Sequence, residues 1–243
     1  MIKKAYLNWS SGKDAAFALY KMQSQKDLKI EKLLTTLNSE VNRVSMHGVR
    51  KELLLKQANS IGLPIDIIEL EGNVSMQTYN LKMNIAVLKL LEEGFTHSVF
   101  GDIFLEDLKK YREEQLARVG IQAVFPLWKQ NTHQLISDFI ASGFKAITVC
   151  VNANVLDRSF CGRIIDQKFV DDLPADVDPC GENGEFHTFV FDGPIFKNPI
   201  EFKKGEIVQR SYNSHEDEED NCFSDDVKSW DTSFWYCDLI PKN

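Results

Sequence analysis

The sequence predicts an α/β protein: a parallel sheet with helices on both faces, followed by a smaller α+β region. Three observations lead there. Helix-like stretches stop at Gly62, Gly94, Gly120 and Gly143, and each time an apolar strand follows. The strands are apolar on both faces instead of alternating, the pattern of a sheet covered on both sides. This alternation is regular only to about residue 152; beyond it Gly, Pro, Asp and Asn dominate the chain.

The elements follow in order. "AYLNW" is a short buried strand, and the stripe Ala15, Ala18, Leu19 and Met22 makes the helix after it amphipathic. "KLLTTL" is the second strand. The helix in "KELLLKQANSIGLP" stops at Gly62, with Pro64 just beyond, and "IDIIEL" follows as a strand. Tyr79, Met83, Ala86, Val87 and Leu90 form the next helical stripe, which ends at Gly94 before "SVFG". A charged helix runs through "LEDLKKYREEQLARVG" to "AVFPL", and a last one ends at Gly143 before "KAITVCV". The later region offers a short helix near Asp166–Leu173, a strand at Phe186–Phe191 and a terminal aromatic strand in "WDTSFWYCDLI". The expected division is a larger α/β domain over residues 1–130 and a smaller α+β region over residues 131–243.

Composition narrows the class. Of 243 residues, 43% are apolar, enough for a core and against disorder. Apolar runs reach only strand length, so no membrane span is expected, and "MIKKAYLNW" does not read as a signal peptide. The cysteines Cys150, Cys161, Cys180, Cys222 and Cys237 are odd in number and widely spaced, which argues for a reduced, cytoplasmic protein. The net charge of −8 is concentrated in residues 214–226, which hold seven carboxylates; the rest of the chain is near neutral. That segment is read as a solvated loop. Nothing in the charge pattern asks for nucleic acid.

The turn after the first strand, "SSGKD", carries the first chemistry. Ser10, Ser11 and Gly12 are small enough for an anion to approach backbone N–H groups. Asp14 opens a helix whose N-terminus is partly positive, and Lys13 adds a full charge. The turn is an anion cradle or simply a capped helix start. It is neither the G-x-x-x-x-G-K-[ST] phosphate loop nor the G-x-G-x-x-G dinucleotide turn.

Other polar groups admit two readings each. Asp102, after Gly101 at the carboxyl end of a strand, can bind metal, ribose or a substrate amine, or cap the next helix. Arg112, beside Tyr111, can clamp a carboxylate or phosphate, or belong to a solvated helix face. Asn38 ends the second strand; His47 and Arg50 lie in a loop beyond it, as substrate contacts or as structural groups. In "CGENGEFHT", Glu182, Glu185, His187 and Thr188 fall close together, and period two puts Glu185 and His187 on one strand face. A carboxylate beside an imidazole can orient it, bind ammonia or take its proton, or it can hold Mg²⁺. Arg158, Arg163 and Asp166 offer a pocket lining for an acidic substrate. Cys161 has no base near it in sequence to make it a nucleophile.

"SSGKDA" resembles the S-G-G-x-D-S pyrophosphate loop of the ATP pyrophosphatases, with Ser11 in place of a glycine and Ala15 in place of the closing serine. "SMHGVRKELLLKQANSIGLP", "FGDIFLEDLKKYREEQLARVGIQAVFPLW" and "GENGEFHTFVFDGPIF" resemble, in order, three segments of the diphthine–ammonia ligase family. The resemblance implies a Rossmann-like fold of the adenine nucleotide alpha hydrolase type. It implies that ATP lies on Ser10, Ser11, Gly12, Lys13, Asp14, Asn38, Gly101 and Asp102, with Mg²⁺ on Asp14. It implies catalytic roles for Lys13, Glu182, Glu185 and His187, and substrate contacts from His47, Arg50, Tyr111, Arg112, Arg163 and Thr188. The implied reaction adenylates a carboxylate, releasing pyrophosphate, and amidates it with ammonia. The acid is the diphthine side chain of elongation factor 2 or, as in bacterial relatives, a corrinoid carboxylate. A nucleotide-binding sensor without turnover is the alternative, and a homodimer through "FWYCDLI" is a further expectation.

Overall fold

The computed structural model describes residues 2–72, 74–212 and 232–242. The acidic segment 214–226 therefore lies outside the described residues. The first sheet is built from β1 (Lys3–Asn8), β2 (Leu28–Asn38), β4 (Ile65–Leu70), β5 (Phe95–Val99) and β6 (Gln122–Val124), all parallel, in the order β4-β2-β1-β5-β6. A two-residue strand, β3 (Arg43–Val44), adds antiparallel to the end of β2. From β1 the chain builds outward through β2 and β4, then returns to the other side of β1 with β5. The strand order reverses at β1, and its carboxyl end is the switch point where α/β sheets bind ligands.

Both faces of this sheet are covered, as the apolar strands require. Along β1, Ala5 and Leu7 point into one core and Tyr6 into the other, the period of a strand. On the Tyr6 side lie α3 (Met76–Glu92) and α4 (Glu106–Ala117), through Val87, Leu90 and Leu116. On the opposite side lie α1 (Lys13–Met22), α2 (Lys51–Ile61) and α5 (Thr132–Ala141). The glycine stops are where the sequence puts them; Gly62, at φ +82°, closes α2 and lets its own N–H and that of Leu63 bond back to the Ala58 carbonyl.

The last of the four glycine-stopped helices departs from the pattern. It feeds β7 (Lys145–Asn152), which does not join the parallel sheet. Instead β7 pairs antiparallel with β8 (Phe186–Asp192) and with β10 (Thr232–Pro241), and β9 (Phe202–Tyr212) pairs with β10. The result is a four-stranded antiparallel sheet in the order β8-β7-β10-β9. Its edge strand β9 was not expected from the sequence, because "FKKGEIVQRSY" is polar and largely exposed. A short 3-10 turn (Arg158–Phe160) and α6 (Gln167–Asp171), capped by Asp166 on the Phe169 N–H, fill the connection between β7 and β8. The apolar side of this second sheet packs into the same core as α1, α2 and α5.

Candidate active site

The turn Trp9–Gly12 leaves β1 at the switch point. Ser11 takes the left-handed conformation, φ +71°, so the backbone reverses sharply into α1. Gly12 precedes the helix without a capping side chain, which leaves the positive end of α1 facing the turn. Gly12 is confined from outside: a Cβ there would sit 3.0 Å from His47 Nε2 and 3.3 Å from the Thr188 carbonyl oxygen. Gly101 is confined more tightly. A Cβ there would come within 2.7–2.8 Å of the backbone of Asp14 and Ala15, so the end of β5 lies directly on the first turn of α1.

The second sheet supplies the other wall. Thr188 of β8 is buried, and its Oγ1 accepts the Lys13 backbone N–H at 3.0 Å. Lys13 is only 3% exposed, and its ammonium donates to both oxygens of Asp14, at 2.7 and 2.8 Å. Burial alone would weaken that ammonium. Asp14, with Cys180 and Glu182 nearby, more than offsets it and holds the Lys13 pKa above its usual value. Glu182 Oε1 accepts the N–H groups of Ile103 (2.7 Å) and Phe104 (3.3 Å), the residues after Asp102. Burial, and then the Asp14 carboxylate, push the Glu182 carboxyl up to about 7, a value suited to proton transfer near neutrality.

His187 faces His47 with ring centroids 4.7 Å apart. Burial and the Lys13 charge bring His187 down to about 4; burial and then His187 hold His47 well below the ordinary value. Held that low, both imidazoles favour the neutral form, which can accept a hydrogen bond. Two buried polar atoms in this region have no partner among the described residues, Ser11 Oγ and His47 Nδ1. Such orphans are rare in a finished core and common where a ligand completes the set.

Ser10 Oγ accepts the Gly12 N–H at 3.3 Å. Asp102 is ion-paired with Arg112, whose guanidinium lies 4.5 Å over the Phe100 ring. Ser10, Ser11, Gly12, Lys13, Asp14, His47, Gly101, Glu182, His187 and Thr188 thus form one connected neighbourhood, with Asp102 at its edge.

Other candidates are committed elsewhere. Glu185 is buried, but its carboxylate binds the N–H groups of Asp178 and Asn183 and the Asn183 amide, holding its own loop in shape. Arg50 makes a two-point pair with Asp238 of β10, at 3.0 and 2.6 Å, and Arg43 donates to the same carboxylate. Tyr111 hydrogen-bonds to Asn80, Arg163 is paired with Asp172 at 2.7 Å, and Asn38 Oδ1 takes the Glu40 N–H.

Three contributors were not singled out in the sequence. Asn8 bridges β1 to β5 through Ser98 Oγ and the Val99 carbonyl. Gln57 is fully buried against the turn, and Asp238 fixes the loop that carries His47. Only Gln57 left a signal: a carboxamide inside the buried stripe Leu53, Leu54 and Ala58.

The donor set fits a nucleotide's phosphates: a buried, charged lysine, a helix start with no N-cap side chain of its own, and an orphaned hydroxyl. For Mg²⁺ the chemistry fits in part. Asp14 and Asp102 are hard oxygen donors, and a nucleotide would complete the shell. Among the described residues no group of three or more His, Cys, Asp or Glu side chains is arranged to hold a metal. No helix of the described residues is long and apolar enough to cross a membrane.

Comparison with known proteins is consistent along the chain. Residues 3–123 match the diphthamide synthase N-terminal domain, and residues 131–218 match the diphthamide synthase C-terminal domain. The chain is 34% identical over 132 residues to a diphthine–ammonia ligase of Bos taurus, covering 51% of this chain and 49% of that protein. It is 33% identical over 132 residues to the human protein of the same name, with the same coverage. With the Schizosaccharomyces pombe diphthine–ammonia ligase it shares 32% identity over 103 residues, 41% of this chain and 17% of that protein. The matches thus span about half, or less, of the length of these relatives.

Proposed function

The chain belongs to the diphthamide synthase family, and from that premise we propose that it is an ATP-dependent ligase that converts a substrate carboxylate to an amide with ammonia. The observation that carries the reading is the Lys13 ammonium: buried, charged, and fixed at the start of α1 at the switch point of the sheet, beside Glu182. A buried ammonium there suits a leaving pyrophosphate well.

ATP would lie with its phosphates on residues Ser10 to Asp14. Mg²⁺ would take oxygen ligands from Asp14, beside Asp102, and neutralise phosphate charge. The substrate carboxylate oxygen attacks the α-phosphorus, the bond to the bridging oxygen breaks, and pyrophosphate departs toward Lys13 and the helix start. Protein groups in such a transfer mainly position and neutralise charge. Ammonia then attacks the acyl carbon, the bond to AMP breaks, and one proton is released as the amide forms. Glu182, ionised in part near neutral pH, would receive it, and the neutral His187, a weak base, would accept a hydrogen bond from the ammonia. The names of the relatives make diphthine, a protein-borne carboxylate, the first acid to try.

The test is product analysis. Incubated with ATP, Mg²⁺, ammonia and elongation factor 2 bearing diphthine, or with a panel of other acids, the protein should release AMP and pyrophosphate in step with amide. ADP as the product would replace adenylation by phosphoryl transfer. Tight ATP binding with no turnover on any acid would make the protein a sensor.

A further inference from the structure

We infer that Gln57 is a positioning residue that sets the shape of the anion-cradling turn, an inference that rests on the ATP-dependent reading above. Gln57 is fully buried on α2 and touches the turn from behind. Its Oε1 accepts the Trp9 indole N–H at 3.0 Å. Its Nε2 donates to the Ser11 carbonyl at 3.1 Å and to the Val190 carbonyl at 2.6 Å. The amide can sit only one way round, because the indole is solely a donor and both carbonyls are solely acceptors. One side chain thus joins the end of β1, the left-handed Ser11 and the second sheet.

The consequence falls on Ser11. A non-glycine residue at φ +71° is held against its preference, and its neighbours must supply the hold. The Ser11 carbonyl receives two donors, the Val190 N–H at 3.0 Å and the Gln57 amide. Together they fix the peptide plane between Ser11 and Gly12, and with it the direction of the Gly12 N–H and the start of α1. Removing the amide leaves the Trp9 N–H unpaired and one Ser11 bond lost, at a place where Trp9, Ser11 and residue 57 are all buried. The turn then has freedom to rotate, and phosphate binding suffers before the chemistry does.

Gln57→Glu and Gln57→Met, compared with the parent protein, test this. A carboxylate at 57 still accepts from Trp9 but faces two carbonyl oxygens; once protonated it regains one donor. We expect Gln57→Glu to raise KM for ATP by about tenfold or more near pH 8, with KM for ammonia unchanged. Part of the loss should return as the pH is lowered toward about 6, a recovery the parent does not show. Gln57→Met, uncharged and of similar volume, should show the raised KM at every pH. It is decisive if the glutamate variant does not fold. ATP titration followed by calorimetry should show the same weakening, and thermal melts establish that the variants are folded. Folded variants that keep the parent's KM and affinity for ATP overturn the inference and leave the ligase reading intact. A parent that neither binds nor turns over ATP overturns the ligase reading and this inference with it.

Discussion

Single side chains decide whether this site works as read. Lys13→Ala removes the ammonium at the turn's base and leaves the Asp14 carboxylate unpaired. Turnover should fall by about 10²–10³-fold in steady-state assays, while the lost pair lowers the melting temperature without unfolding the protein at assay temperature. Glu182 gives a prediction with a sign. Its folded-state pKa of about 7 lies above the usual 4.5, so the folded protein holds that proton more tightly than the unfolded chain. Stability is therefore lost as pH rises through that window. Glu182→Gln keeps an oxygen for the Ile103 and Phe104 N–H groups and removes the charge. Relative to the parent it should gain roughly 2–3 kcal/mol between pH 4.5 and about 8, read by urea unfolding at several pH values. A pH-independent difference would show that the Glu182 carboxyl titrates in the folded site as it does in the unfolded chain. The "SSGKD" turn was legible in the sequence because its chemistry is local: small residues, one cation and a helix start in five positions. Gln57 showed only as a carboxamide in a buried stripe; its role was not legible, because its partners lie 46 to 133 residues away. Glu185 differs: the sequence shows a carboxylate two residues from an imidazole, and the three N–H donors it binds come from its own loop, whose turn geometry the sequence does not spell out.

Elements explain how distant residues reach the turn. The glycine stops and two-sided apolar strands made the parallel sheet legible, since each reports a backbone need within a few residues. The terminal hairpin was half legible: β10 through its aromatics, β9 not at all, because a polar edge strand has no core face to declare itself. Yet β10 matters to the site. Its Asp238 holds Arg50 and Arg43, and those two residues bracket the loop that lays His47 over Gly12. Arg50, and then Arg43, hold the Asp238 carboxyl below its usual range, so this contribution is present at neutral pH and lost as the medium is acidified. The ions are partly exposed, and Asp238→Asn should cost only about 0.5–1 kcal/mol. The sharper readout is local. Hydrogen exchange at the amides of Val44 and Gly48, which bond within the loop, should speed up while that of β1 does not change. Unchanged exchange at those two amides would remove Asp238 from the account of His47.

At the scale of the whole molecule the two sheets are one structural unit. The seam is aromatic. Phe17 and Tyr20 of α1 are stacked, Phe139 of α5 and Phe144 before β7 are stacked at 4.8 Å, and edge-to-face contacts of 5.7–6.1 Å lock the pairs together. The same helix that carries Lys13 at its start therefore carries, one and two turns on, the rings that grip the second sheet's side of the core. Thr188 repeats the connection at the turn itself. The site needs both sheets in register, and the seam supplies that register. Phe139→Ala should cost about 3–5 kcal/mol, the usual range for removing a buried aromatic. The loss should be shared: hydrogen exchange of β1 amides and of β8 amides should report one common drop in global stability, and urea unfolding should stay a single transition. If the two regions held together only loosely, β8 would lose protection while β1 kept it. Two transitions, or protection lost in one sheet alone, would mean that Lys13 and Thr188 meet through their own contact and not through a shared core.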